Sequence, residues 1–146
     1  MAMSAPKVFS EMALEVMDIV AYLWPVSLAV TSAAALALTI GFPLRDPKFR
    51  SRLPFLLMSY AIPLLVLLVG TIFRYSGPPH PNWQSPPDWY GVPLDAVLIA
   101  HAALLVATPI IMKGARLRSL AILMPSVWLT LSSWLVAGVV IAGVGP

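Results

Sequence analysis

One histidine, two hydroxyl-bearing stripes and a short run of carboxylates are the residues here whose type and place could do chemistry. His101 lies inside a long apolar run, flanked by Ala100, Ala102 and Ala103. An ionisable side chain at such a place is costly in lipid and marks a functional position by default. Small flanking residues leave room for a flat macrocycle, so ligation of a haem or chlorophyll is one chemistry His101 could serve. No second histidine falls in an apolar run. Met58, Met112 and Met124 are the other candidate ligands, and they sit nearer the opposite end of their runs. The competing reading is a neutral imidazole that hydrogen-bonds a hydroxyl or carbonyl on a neighbouring helix, an ordinary contact in membrane bundles. The sequence favours this second reading.

Ser126, Thr130, Ser133 and Ala137 recur at i, i+4, i+7 and i+11, and Ser27, Thr31 and Ala34-Ala35 repeat the pattern earlier in the chain. Small residues on one helix face let helices approach closely, so packing is the expected role. A polar conduction path is the alternative, and it would ordinarily be accompanied by an intramembrane charge. Glu11, Glu15 and Asp18 share one helical face near the N-terminus and read as a solvated face or a patch for a basic partner. His80, Asp88 and Asp95 are scattered around a proline-rich segment, and their spacing matches no metal site. With no cysteine, thiolate metal sites, disulfides and thiol catalysis are excluded. The sequence has no phosphate-cradling glycine loop, no H-E-x-x-H and no G-x-S-x-G. No serine, histidine and aspartate are expected at a common depth. The expectation is a protein that is not an enzyme.

The elements that must position these residues are apolar helices. Of the 146 residues, 60% are hydrophobic and 10% charged, far below the roughly 25% charge of soluble domains. Four runs, 19–42, 53–73, 94–112 and 120–144, are each long enough to cross about 30 Å of hydrocarbon. Their prolines, Pro25, Pro63, Pro109 and Pro125, are tolerated in a membrane bundle. A kink is expected at Pro63 and a milder one at Pro125. The first run is too long for the core of a secretory leader, and acids rather than a basic cluster precede it, so it reads as a retained span.

Seven of the nine basic residues lie in two short connections. Arg45, Lys48, Arg50 and Arg52 fall in 43–52, and Lys113, Arg116 and Arg118 in 113–119. The positive-inside rule puts both connections in the cytoplasm and both termini on the other side. These cations also meet anionic lipid headgroups, at about 1 kcal/mol each near the surface. The long connection, 74–93, carries six prolines with Trp83, Trp89 and Tyr90. Its composition favours extended backbone, and its aromatic residues suit the headgroup level or a docking partner. Residues 1–18 read as an amphipathic helical segment, with Phe9, Met12, Val16 and Ile19 opposite the acids.

A shift of 68 residues lays Ala34-Ala35-Leu36 on Ala102-Ala103-Leu104, Arg45 on Lys113, Lys48 on Arg116, Arg50-Ser51 on Arg118-Ser119, and Gly70 on Gly138. That is the pattern of two parallel helix–basic loop–helix hairpins, or of chance among small residues and basic loops. The expected fold is thus an all-α, multi-pass integral membrane protein forming one domain, a four-transmembrane-helix bundle in a bacterial inner membrane.

The expected function is a small accessory subunit of a larger, energy-transducing membrane complex (respiratory or photosynthetic). Its partners would be other membrane subunits and lipids, with no nucleic acid. A peripheral partner would dock on the outer loop through Trp83, Trp89 and Tyr90 and on Glu11, Glu15 and Asp18. The alternatives are a haem- or chlorophyll-carrying electron-transfer subunit using His101, and a small oligomeric transporter or channel.

Overall fold

The computed structural model describes residues 5–39, 51, 53–76 and 91–141, and these are helical apart from short turns. Helix α1 (Ala5–Tyr22) is followed by α2 (Trp24–Thr39), then by α3 (Leu53–Met58), a 3-10 turn (Ser59–Ala61) and α4 (Ile62–Ser76). Helices α5 (Val92–Ile111) and α6 (Arg116–Ile141) complete the order. Three stretches are long and apolar enough to cross a membrane: Leu53–Phe73, Val92–Ile111 and Arg116–Val140. A fourth passes only if α1 and α2 count as one span bent by 88°. The described residues are thus all-helical, with several helices that could cross a membrane, as in a multi-pass membrane protein.

Proline decides where these helices start and bend. Pro6 and Pro93 sit in the first turns of α1 and α5, where a missing N–H costs nothing. Asp95 occupies the exposed first turn of α5, where a carboxylate favours the helix dipole. The turn from α5 to α6 is made at Gly114, whose φ of 97° suits glycine alone. It is shorter than the basic loop read from the sequence. Arg116 and Arg118 belong to the first turn of α6.

The sharp bend is not at Pro63. The run through Pro63 tightens into the 3-10 turn yet continues as the single span Leu53–Phe73, and α6 is continuous through Pro125. The bend falls at Leu23, two residues before Pro25. Pro25 has no N–H for the Ala21 carbonyl, and its ring crowds that carbonyl, so the helix ends. Leu23 N–H still reaches Ile19, and α2 restarts with bonds from Val26 and Ser27 to the Leu23 carbonyl. The first apolar run is consequently two helices, with the boundary inside it rather than at Ile19.

Helix α6 is the hub and touches every other helix. One apolar cluster joins α1, α4, α5 and α6 through Val8, Met12, Val16, Ile62, Val66, Leu94 and Ala137. The other, at the end nearer Gly114, holds Leu56, Met112, Ile122 and Leu123. Helix α1 presents Val8, Met12 and Val16 inward, while Glu11 and Asp18 stay exposed and Glu15 is half-buried. Met12 seats on Gly70, where a Cβ would come within 2.6 Å of the Met12 methyl and 2.9 Å of Ala137 Cβ. Gly138 has open space around it, so the Gly70–Gly138 match of the internal echo joins two positions that pack differently.

Candidate functional site

Between the two apolar clusters lies a polar layer. One of its acceptors comes from a proline. Pro63 removes the helical donor of the Ser59 carbonyl, four residues earlier. Ile62 N–H supplies a 3-10 bond to that carbonyl, and the Ser126 hydroxyl donates a second at 2.8 Å. On α6 the carbonyl that Pro125 deprives of its helical donor is that of Ala121, and the Tyr60 hydroxyl donates to the next one along, Ile122. The two proline turns thus clasp each other, each helix lending a hydroxyl to the other's backbone. Groups freed by intramembrane prolines need this kind of cover.

His101 joins the layer from α5. Leu94, His101 and Thr108 are the buried residues of that helix. They recur every seven residues, which puts them on one narrow line. His101 is the tenth of the helix's 20 residues and only 3% exposed. Its Nε2 lies 3.3 Å from Ser126 Oγ. The Ser126 proton is committed to the Ser59 carbonyl, so the hydroxyl oxygen accepts the Nε2–H. That network assigns the tautomer. Thr130 returns its own hydroxyl to the Ser126 carbonyl at 2.8 Å.

The structure thus sets His101 against a serine hydroxyl on a neighbouring helix. It does not make them a nucleophile and base. The hydroxyl proton points at a carbonyl rather than at imidazole, and Ser126 is fully buried. Asp95, six residues before His101, is about 9 Å away along the helix on an exposed turn. A macrocycle ligated through Nε2 would have to break the Ser126 bond. Among the described residues no group of three metal-ligating side chains lies together.

The stripe Ser126, Thr130, Ser133 and Ala137 is the buried face of α6, each residue 0–1% exposed. On α2, Ser27 and Ala34 turn inward, while Thr31 and Ala35 are exposed. Ser27 is the busiest of these. Its hydroxyl lies 2.8 Å from the Val20 carbonyl, to which it donates, and accepts the Trp128 indole N–H at 3.1 Å. Neither Ser59, Tyr60 nor Trp128 was singled out from sequence. For Ser59 the signal available was proline position, since the residue four before a Pro names a carbonyl in need of a donor; that rule does not find Tyr60 or Trp128.

Lys113, Arg116 and Arg118 are exposed together at the α5–α6 turn. The remaining residues singled out lie outside the described residues: Arg45, Lys48, Arg50 and Arg52 of the first basic connection, and His80, Trp83, Asp88, Trp89 and Tyr90 of the long loop. No family model, curated protein or solved structure matches the chain.

Proposed function

We propose that the chain is a small, non-catalytic subunit of a larger membrane assembly, and that its role is to present helix faces to neighbouring subunits. The observation that supports this most is the closure of the polar layer. Every buried side-chain nitrogen and oxygen among the described residues has a hydrogen-bond partner. Their hydrogen bonds go to carbonyls of their own helices and, through Ser126, Tyr60, His101 and Trp128, to neighbouring helices of the same chain.

What faces outward is apolar. Only 17% of the most apolar window of α5 lies inside the protein, and Ile99, Val106 and Ile110 point away from it. Helix α2 likewise exposes Leu28, Leu36 and Leu38. In this reading the basic turn at Gly114 is cytoplasmic and both termini lie on the opposite side, as the charge asymmetry favours. An energy-transducing complex is the kind of assembly in which an intramembrane histidine such as His101 is at home.

The test is native mass spectrometry of the tagged protein taken from its own membrane in mild detergent. Co-purifying membrane subunits at fixed stoichiometry are expected. A chain that runs alone with a bound chromophore, with absorption lost in His101→Ala, would replace this reading with the electron-transfer one.

A further inference from the structure

The break between α1 and α2 is placed in depth by α6. Trp128, which holds Ser27, follows Arg118 by ten residues and precedes Val140 by twelve. That is about 15 Å and about 18 Å of helix, so the elbow lies near half depth, on the membrane reading proposed above. Met12 meets Gly70 and Ala137 much nearer the far end. Helix α1 therefore climbs from mid-depth to the surface opposite the basic turn, rather than lying flat on it.

Irregular backbone at such depth is tolerated only where protein or water covers it. Among the described residues nothing covers this elbow. Tyr22 is 85% exposed, Trp24 64% and Leu23 37%. The hydrogen bonds at the break end on the Ile19, Val20 and Leu23 carbonyls, and Pro25 cannot donate to Ala21. The same elbow carries two exposed side chains that bear donors, Trp24 with its indole N–H and Tyr22 with its hydroxyl. Acceptor and donor at one level make the surface self-complementary under a two-fold axis, the commonest symmetry of oligomers.

We propose that the elbow at Tyr22–Pro25 is a dimer contact, in which Trp24 of one copy donates to the freed backbone carbonyl at Ala21 of a second copy. The contact deepens the subunit reading and shares its membrane placement. The natural absence of cysteine allows single-cysteine tests in the full chain. Tyr22→Cys is expected to form a disulfide-linked dimer on mild oxidation in membranes, while Ile99→Cys, 70% exposed on α5, stays monomeric. Trp24→Phe keeps the ring and loses the donor. It should lower the dimer association constant, read by energy transfer in micelles, about fivefold to tenfold as two symmetric bonds go. Pro25→Ala gives Ala21 back its donor and should also weaken the dimer.

Tyr22→Cys that stays monomeric while Ile99→Cys crosslinks would overturn the proposal. So would a nitroxide at Tyr22→Cys that an aqueous relaxant reaches as readily as one at Lys7→Cys. A crosslink from Tyr22→Cys to a different polypeptide would also overturn it while leaving the subunit reading intact. A dimer with no other subunit attached would do the reverse.

Discussion

Removing the Ser126 hydroxyl tests the polar layer most directly. In Ser126→Ala the His101 Nε2–H loses its acceptor, and His101, 3% exposed, has no water to turn to. The Ser59 carbonyl loses one of two donors but keeps Ile62 N–H. The first loss dominates. A buried unpaired donor costs about 1–3 kcal/mol in soluble proteins. Interhelical hydrogen bonds in membranes average about 0.6 kcal/mol and reach about 1.7, because the unfolded chain also finds partners there. Weighing the two, Ser126→Ala should destabilise by about 1–2 kcal/mol. His101→Leu fills part of the same space without the donor. The double variant should therefore cost less than the sum of the singles, by about 0.6–1.7 kcal/mol. The assay is reversible unfolding in mixed micelles, titrated with denaturing detergent, for wild type, both singles and the double. Additivity within about 0.3 kcal/mol would refute the argument, since residues not in contact behave that way. A Ser126→Ala protein as stable as wild type would refute it as well.

Gly70→Ala should destabilise by about 1–3 kcal/mol, because Met12 can shift but the Ala137 Cβ at 2.9 Å cannot without moving α6. Gly138→Ala, with open space, should be neutral or raise stability by up to about 1 kcal/mol through helix propensity, and the same titration compares the two. Trp128→Phe keeps most of the ring but frees Ser27 from α6. It should cost about 1 kcal/mol, and a nitroxide at Leu23→Cys should report greater motion at the elbow. Lys113→Cys, exposed at the α5–α6 turn, should react with a membrane-impermeant maleimide from the cytoplasmic face alone. Labelling from the other face in intact cells would invert the proposed orientation.

Much of the architecture was readable along the chain because it depends on local quantities. Run length and the near absence of charge within the runs made Leu53–Phe73, Val92–Ile111 and Arg116–Val140 visible as spans, each with ends within a few residues of those read from sequence. Helical spacing alone marked Ser126, Thr130, Ser133 and Ala137 as one face, and that face is buried. The same spacing put Met12 and Val16 opposite Glu11 and Asp18. Periodicity says which residues share a face. It does not say what the face meets.

What the tertiary structure alone decided is how proline breaks are resolved. Pro25, Pro63 and Pro125 are chemically the same interruption, and sequence ranked Pro63 as the strongest. At Pro63 the neighbouring α6 brings Ser126 to the freed Ser59 carbonyl, and beside Pro125 Tyr60 reaches the Ile122 carbonyl; both runs continue. At Pro25 the Ser27 hydroxyl donates to the Val20 carbonyl and accepts from Trp128, and the chain turns by 88°. The pairing of His101 with Ser126 follows the same logic, since it depends on the vertical register of α5 against α6. Sequence determined that a histidine would be held inside apolar helices and need a partner there. Only the packing of α5 on α6 chose Ser126, because a hydrogen bond is decided over a few ångströms between residues 25 apart in the chain.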